Sequence, residues 1–225
     1  MLSLIKLMII VTNKIWNLKR KSVSLGKEKV MNNKSQWCID QHRNTNHFYD
    51  TYLPYEFHLR MVNQVAQDFR HLLDDTKDHY TGEPIINPII QVSLAKACML
   101  ATWGHDLIED TRVSYNDVKE HLGQEAADII YAVTNEKGKT RKERANEMYY
   151  EGIRNTPGAV FVKLCDRIAN VQYSKMTGSR MFEMYKKENR SFVRSLGLIG
   201  GDAITVEYPG HEYYKMYKCL DNLFN

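Results

Sequence analysis

The stretch "PIIQVSLAKACMLATWGHDLIED", Pro88 to Asp110, sets the expectation for the fold. Its apolar residues follow helical spacing, and the same periodicity runs through most of the chain, with few segments that alternate as β-strands do. Loops that contain Gly and Pro separate the periodic segments. The sequence therefore predicts an all-α fold.

Other helices are predicted on both sides of this stretch. Capping-box spacing marks two of them, because Ser114 with Asp117 opens "YNDVKEHL" and Thr140 with Glu143 opens "RKERANEMYYEGIRN". The remaining predicted helices are "HLRMVNQVAQDFRHLL", "AVFVKLCDRIANVQYSKM", "MFEMYKKENRSFVRSL" and "HEYYKMYKCLDNLF", with "GLIGGDAITVEYPG" as a loop before the last.

The 225 residues are enough for a single domain, which at this size buries about 70% of its unfolded surface. The net charge of +4 comes from the first thirty residues, where seven Lys and Arg side chains oppose one acid. No basic stripe with interleaved aromatic residues follows, so no nucleic-acid partner is predicted. We expect a basic extension over residues 1–40, a domain over 41–200, and a loop with a C-terminal helix packed on that domain over 201–225.

The cysteines and the N-terminal segment indicate a cytoplasmic protein. The four cysteines are widely spaced and form no C-x-x-C pair, which argues against a thiolate zinc site and a disulfide framework. The opening "MLSLIKLMIIVTNKIW" is too short and too interrupted by Lys6 to be a transmembrane segment. It is either a dispensable extension upstream of a start at Met31 or a weak membrane-surface anchor.

An ionisable cluster lies at the end of the quoted stretch. On a continuous helix, His105, Asp106, Glu109 and Asp110 would share an arc of about 140°. A solvated helix end is one interpretation, although acids there meet the negative end of the helix dipole. A divalent cation bound by carboxylate and imidazole groups is the other.

Two further segments carry candidate residues. In "FVKLCDRIANVQY" an apolar stripe opposes a face that carries Lys163, Asp166, Asn170 and Tyr173, and Asp166 alone could equally form a surface salt bridge. In "PYEFHLRMV", His58 opens an amphipathic helix, where a single histidine is more often a packed residue than a ligand.

Together these segments resemble the hydrolase branch of the HD-domain superfamily, which contains bacterial guanosine tetraphosphate hydrolases and their small metazoan relatives. "GHDLIEDT" is similar to the H-D-x-x-E-D-T signature, "VKLCDRIANV" to V-K-L-A-D-R-x-x-N, and "PYEFH" with Val62 to P-Y-x-x-H-x-x-x-V. "HLGQEAADIIYAVTNE" resembles the stretch that ends in a V-T-acidic turn, and the resemblance covers about Tyr49 to Ser195. It implies a helical HD-domain bundle with a metal site in its core cleft.

The resemblance also implies roles for individual residues. One divalent metal would be bound by His58, His105, Asp106 and Asp166, with Mn the usual ion and Fe, Co, Zn or Mg as alternatives. The pair that orients water and serves in acid–base steps corresponds to Glu109 and Asp110. Nucleotide contacts fall on Lys163, Asn170 and Tyr173. Phosphate contacts are expected from Lys139, Arg141 and Lys142, unless these belong to a solvated charge run.

Two departures from the family affect substrate recognition. The segment "HFYDTYLPY" has no Lys or Arg where the family places basic residues, although Tyr49 could stack on a base unless it is simply packed. An insertion around "YTGEPIINP" follows. We expect a 3′-pyrophosphohydrolase of guanosine tetra- or pentaphosphate that acts on a small phosphorylated nucleotide. A nucleotide phosphomonoesterase, a non-catalytic nucleotide-binding module and a homo-oligomer all stay open.

Overall fold

The chain is described by a computed structural model over residues 30–73, 88–199 and 213–225. The first helix, α1, covers residues 30–44, and a hairpin of β1 (Phe48–Tyr49) and β2 (Leu53–Pro54) follows it. The other helices are α2 (Glu56–Asp68), α3 (Pro88–Gly104), α4 (Leu107–Asp110), α5 (Tyr115–Leu122), α6 (Gln124–Val133), α7 (Arg141–Arg144), α8 (Glu147–Asn155), α9 (Ala159–Thr177), α10 (Met181–Ser195) and α11 (Tyr214–Asn222). The predicted all-α fold is confirmed, because the hairpin is the one sheet among these residues.

Helix α9 occupies the centre of the bundle. Its predicted apolar stripe, Phe161, Leu164, Ile168 and Val171, is completely buried. Helices α2, α3, α6, α8, α10 and α11 all pack against α9. The helix that carries Asp166 is therefore held from several sides, which fixes the position of that carboxylate.

The stretch predicted as one helix from Pro88 to Asp110 is in fact two helices. Helix α3 ends at Gly104, and Asp106 has φ −103° and ψ 4°, outside the helical region. A Cβ at position 104 would lie 2.8 Å from Cδ1 of Ile130, so glycine permits the close approach of α6 at the break. The expectation that His105 and Asp106 share one helix face with the acids after them was therefore wrong.

Both predicted capping boxes are present. The Ser114 hydroxyl and the Asp117 carboxylate exchange hydrogen bonds with each other's backbone N–H at the start of α5, and Thr140 and Glu143 do the same at α7. The predicted helix from Arg141 to Asn155 is nevertheless split in two. Asn146 accepts a hydrogen bond from the backbone N–H of Tyr149 at 3.0 Å and so begins α8 as a new helix.

The described residues cover only part of the predicted N-terminal extension and of the predicted C-terminal segment. Residues 1–29 lie outside the described residues, as do the insertion between residues 80 and 87 and most of the predicted loop before α11. Within α1, Cys38 and Ile39 are buried, and α11 buries Met216 and Leu220 against α9. No helix among the described residues is long and apolar enough to cross a membrane.

The hairpin between α1 and α2 reverses the direction of the chain. Tyr49 pairs with Leu53, and Phe48 pairs with Pro54, in antiparallel register. Asn46 and Asp50 adopt φ values of 54° and 57°, a left-handed conformation that Asn and Asp tolerate better than most residues. These two reversals turn Tyr49 toward α2 and α9.

Candidate metal centre

Four side chains from three parts of the chain converge at the core. His58 lies in the first turn of α2, His105 and Asp106 form the break between α3 and α4, and Asp166 lies midway along α9. They meet because α2 packs against both α3 and α9. These are the four residues that the resemblance implied as ligands.

The distances within this cluster are short. Nε2 of His58 lies 3.1 Å from Nε2 of His105, and Oδ2 of Asp106 lies 2.9 Å from the latter nitrogen. Oδ1 of Asp166 lies 3.4 Å from Nε2 of His58 and 3.7 Å from Nε2 of His105. Both imidazoles are buried, and at these separations the four side chains face one another directly.

The orientation of His105 is fixed by its second nitrogen. Its Nδ1 lies 3.0 Å from the carbonyl oxygen of Thr102, and only a protonated Nδ1 can make this hydrogen bond. The Thr102 hydroxyl accepts in turn from the side-chain amide of Asn63 at 2.9 Å. The Nε2 lone pair of neutral His105 therefore faces the cluster, as a metal ligand requires.

The pKa values reflect the close approach of these groups. Burial favours neutral His58, but hydrogen bonds with Asp106 and Asp166 outweigh it and raise the pKa of His58 to about 9. Burial opposes the charge on Asp106, yet the adjacent His105 holds the pKa of Asp106 well below its usual range. The Lys163 ammonium likewise outweighs burial and lowers the pKa of Asp166.

The donor set fits one divalent cation. Metal–ligand bonds of about 2.0–2.2 Å separate neighbouring ligand atoms by roughly 2.8 to 3.6 Å in octahedral or tetrahedral geometry. The distances from the two histidine Nε2 atoms to each other and to the carboxylates, 2.9 to 3.7 Å, lie close to that span. Two imidazoles and two carboxylates suit Mn, Fe, Co or Zn. His58, His105 and Asp106 offer ligand atoms within 4.8 Å of one another, which makes them a candidate metal triad. Asp166 lies outside this triad, although its Oδ1 is 3.4 Å from Nε2 of His58.

Glu109 and Asp110 lie at the edge of the cluster in different surroundings. Asp110 lies 3.5 Å from the Tyr55 hydroxyl, which also donates to Asp106. Burial, with the charges of Asp106 and Glu109, raises the pKa of Asp110 to about 7. Both residues are exposed, and the Asp110 side chain keeps 33% of its accessible surface. The two carboxylate oxygens of Glu109 accept from the Asn135 side-chain amide at 2.9 and 3.0 Å.

The residues predicted to contact nucleotide fall into two groups. Lys163, Asn170, Tyr173 and Tyr49 surround the cluster, and each already has a protein partner. Nζ of Lys163 lies 3.4 Å from Asp166, and the Tyr173 hydroxyl donates to Asp50 at 2.9 Å. The Tyr49 hydroxyl donates to Asn170 at 2.8 Å.

The second group lies in and just before α7, where Lys139, Arg141 and Lys142 are exposed. Arg141 forms an ion pair with Glu188 on α10 at 3.0 Å, and Glu188 also binds Arg167 at 3.2 Å. Arg141 is therefore paired with α10, whereas Lys139 and Lys142 extend into solvent. Their contact with phosphate stays a prediction.

Sequence reasoning missed Tyr55 and His47. The Tyr55 hydroxyl donates to Asp106, and His47 stacks on the Tyr55 ring with centroids 3.9 Å apart while its Nε2 lies 3.9 Å from Asp110. No spacing in the sequence connects His47 with the acids of α4. The P-Y-x-x-H motif contains Tyr55, but the resemblance was used there only to assign His58.

The all-helical bundle with two histidines and two aspartates near its core resembles HD-type hydrolases, and the comparisons with known proteins point to the same class. Curated relatives carry the name guanosine-3′,5′-bis(diphosphate) 3′-pyrophosphohydrolase. One, MESH1 of Drosophila melanogaster, is 27% identical over 113 residues, which are 46% of this chain and 63% of that protein. Another, from Aquifex aeolicus, is 34% identical over 120 residues, which are 48% of this chain and 17% of that protein.

The matched segment thus spans less than two thirds of these relatives. A solved structure, described as a metazoan ortholog of SpoT that hydrolyzes ppGpp, has the same fold with a TM-score of 0.58. It is 18% identical, and the match covers 87% of this chain and 93% of that one. No protein-family model matches the chain.

Proposed function

We propose that this chain is a metal-dependent phosphohydrolase that releases pyrophosphate from the 3′ position of guanosine tetra- or pentaphosphate. The observation that carries the proposal is the convergence of His58, His105, Asp106 and Asp166 beside the Glu109–Asp110 pair. The names of the curated relatives supply the substrate class.

The four converging side chains would hold one divalent cation, with Mn as the ion we propose. When bound, the cation supplies Lewis acidity, which lowers the pKa of water and neutralises negative charge on a phosphate group. Phosphoryl transfer depends mainly on such charge neutralisation and on positioning. The two buried histidines and Asp106 would hold the ion.

Asp110 is the proposed proton acceptor for the attacking water. Its pKa of about 7 lets it accept a proton near neutral pH and return it to the leaving group. The Tyr55 hydroxyl orients the carboxylates of Asp106 and Asp110 relative to each other. Glu109, held by Asn135, positions the water from the solvent side.

Several side chains would contact the nucleotide. The half-buried Lys163 ammonium neutralises charge beside Asp166, and the Tyr173 hydroxyl donates to Asp50 of the hairpin. Lys139 and Lys142 are exposed and would meet the outer phosphates, whereas Arg141 would first have to leave Glu188.

All four cysteines are among the described residues and none forms a disulfide, which supports a reducing, cytoplasmic location.

The test is product identification with guanosine tetraphosphate and Mn²⁺. We expect guanosine diphosphate and pyrophosphate, at a rate that the Asp106→Ala variant loses together with bound metal. Asp128 on α6 provides a matched control, since Asp128→Asn changes an exposed acid that is hydrogen-bonded to Tyr115. Orthophosphate as the sole product, or full activity of Asp106→Ala, would contradict the proposal.

One observation favours a nucleotide phosphomonoesterase as the second candidate. The cations around the cleft are largely paired within the protein, as with Arg43 and Glu56 or Arg141 and Glu188. No Lys or Arg lies between His47 and Tyr55. A substrate with fewer phosphates needs fewer unpaired Lys and Arg side chains. Deoxynucleoside monophosphates should therefore be tested as substrates in the same assay. Nucleotide binding without turnover of any phosphoester would instead indicate a non-catalytic module.

A further inference from the structure

We propose that Tyr49 is a positioning residue, which orients two of the four metal ligands from the β-hairpin. The inference rests on the metal site of the proposed function. Tyr49 reaches His58 through its ring and Asp166 through Asn170. The hairpin would thereby take part in building the metal site, even though none of its residues is a ligand.

The first contact is a ring stack. The rings of Tyr49 and His58 lie nearly parallel, with an interplanar angle of 11° and centroids 4.7 Å apart. His58 is buried, and its Nδ1 has no hydrogen-bond partner among residues 30–73, 88–199 and 213–225, so none of these residues fixes the imidazole plane through that nitrogen. The stacked Tyr49 ring restricts rotation of the imidazole and so directs its Nε2 toward the cluster.

The second contact runs through an amide. The Tyr49 hydroxyl donates to Oδ1 of Asn170 at 2.8 Å, and Nδ2 of Asn170 donates to Oδ1 of Asp166 at 2.6 Å. This carboxylate oxygen is the one that faces His58. An amide has one acceptor end and one donor end, so occupation of the acceptor end by Tyr49 turns the donor end to Asp166. The same Nδ2 also donates to the backbone oxygen of Asp166 at 3.1 Å. Loss of the Tyr49 hydroxyl leaves the acceptor end of the amide without this partner and weakens the restraint on its orientation toward Asp166.

The hairpin holds Tyr49 firmly enough for this role. Asp50, the next residue, accepts a hydrogen bond from the Tyr173 hydroxyl of α9 at 2.9 Å. The edge of the Tyr49 ring meets the ring of Tyr173, with centroids 4.8 Å apart. A phenolic hydroxyl is protonated at neutral pH, so Tyr49 is available as the donor to Asn170.

These contacts distinguish two roles for Tyr49. A base-stacking residue would need a free ring face and would tolerate loss of the hydroxyl, because phenylalanine stacks equally well. A positioning residue uses the hydroxyl. Tyr49→Phe therefore separates the two roles, since it keeps the stack on His58 and removes only the hydrogen bond to Asn170.

The experiment measures metal binding by the full chain without substrate. Mn²⁺ affinity is determined by chelator competition, and the Co²⁺ form is examined by visible absorption, which reports ligand geometry. We expect Tyr49→Phe to bind Mn²⁺ about 10-fold more weakly and to change the Co²⁺ spectrum, as loss of an outer-sphere partner typically costs 10- to 100-fold. Tyr52→Phe is the matched control, because the same change is made on the same hairpin at a side chain that is 73% exposed.

A double-mutant cycle tests the route through Asn170. If the hydroxyl acts through that amide, Tyr49→Phe should have little further effect on metal affinity in an Asn170→Ala background. Equal effects of Tyr49→Phe in both backgrounds would overturn the proposed route. Wild-type affinity and spectrum in Tyr49→Phe would overturn the positioning role, whether or not the chain hydrolyses guanosine tetraphosphate. A wild-type chain that binds metal but turns over no nucleotide would contradict the proposed function alone.

Discussion

Nε2 of His58 and Nε2 of His105 lie 3.1 Å apart in the core, although the two residues are 47 positions apart in the chain. Two imidazole nitrogens at this distance can share one proton, but two protons would repel each other. The flanking carboxylates of Asp106 and Asp166 raise the pKa of both histidines against the effect of burial. Protons and a divalent cation therefore compete for the same atoms.

Metal loading should stabilise the fold. A ligand present at 100 times its dissociation constant adds about 2.7 kcal/mol to the free energy of unfolding, which for a chain of this size raises Tm by about 5–10 °C. Calorimetry with EDTA and with Mn²⁺ measures the shift. We expect Asp166→Asn to lose most of it and Asp128→Asn to keep it. An undiminished shift in Asp166→Asn would argue against Asp166 as a ligand.

Metal affinity should rise with pH. The pKa of His58 is about 9 in the metal-free fold, so at pH 7.5 the cation must displace a proton. Apparent affinity should increase up to about tenfold per pH unit until pH approaches 9. Isothermal titration calorimetry in two buffers with different ionisation enthalpies should detect release of at least one proton at pH 7.5. An affinity that stays constant from pH 7 to 8.5 would contradict this expectation.

The same pKa predicts the opposite trend for the metal-free protein. The folded pKa of His58 lies above its unfolded value of about 6.5, so protonation stabilises the fold fully below that value. This stabilisation is lost as pH rises through about 9. Urea unfolding in EDTA should therefore give a lower free energy of unfolding at pH 9.5 than at pH 7.5. His121→Asn, which alters an exposed histidine on α5, should show the same decrease.

The sequence correctly predicted features that depend on residues close together in the chain. The capping boxes at Ser114 and Thr140 depend on residues three positions apart, and both formed as expected. The apolar stripe of α9 is a periodic pattern within one helix, and it is buried. Helical periodicity did not predict the break at Gly104, because that break depends on the approach of Ile130 from another helix.

Contacts between distant residues account for what the sequence did not show around the site. Tyr49 and Asn170 are 121 positions apart, and both were expected to meet the nucleotide, yet they bind each other. His47 approaches Asp110 only because the hairpin reverses the chain after α1. The four candidate ligands could be proposed from the sequence because each belongs to a short motif. Recognising a short motif requires no knowledge of how the helices pack.

Asp110 should affect turnover more than metal binding. Its carboxylate is the proposed proton acceptor, and general acid–base catalysis typically contributes about 10²- to 10⁴-fold to the rate. We expect Asp110→Asn to lower kcat by that factor while metal content stays unchanged. Steady-state kinetics together with elemental analysis measures both. Loss of metal in Asp110→Asn would instead make Asp110 part of the coordination site.

Gly158 and Gly178 lie at the two ends of α9. Substituting each with alanine should distinguish the energetic cost of backbone strain from that of overpacking. Both have positive φ, 82° and 66° respectively, so alanine at either position should cost about 1 kcal/mol in backbone strain. A Cβ at position 158 would also clash with Sγ of Cys98 and approach Leu94 at 3.1 Å, whereas a Cβ at position 178 would meet no described residue within 4 Å. Overpacking adds about 1–3 kcal/mol, so Gly158→Ala should be destabilised by about 2–4 kcal/mol and Gly178→Ala by about 1. Urea unfolding at an unchanged m-value measures the difference, and equal losses would mean that the core around Cys98 yields to the added methyl group.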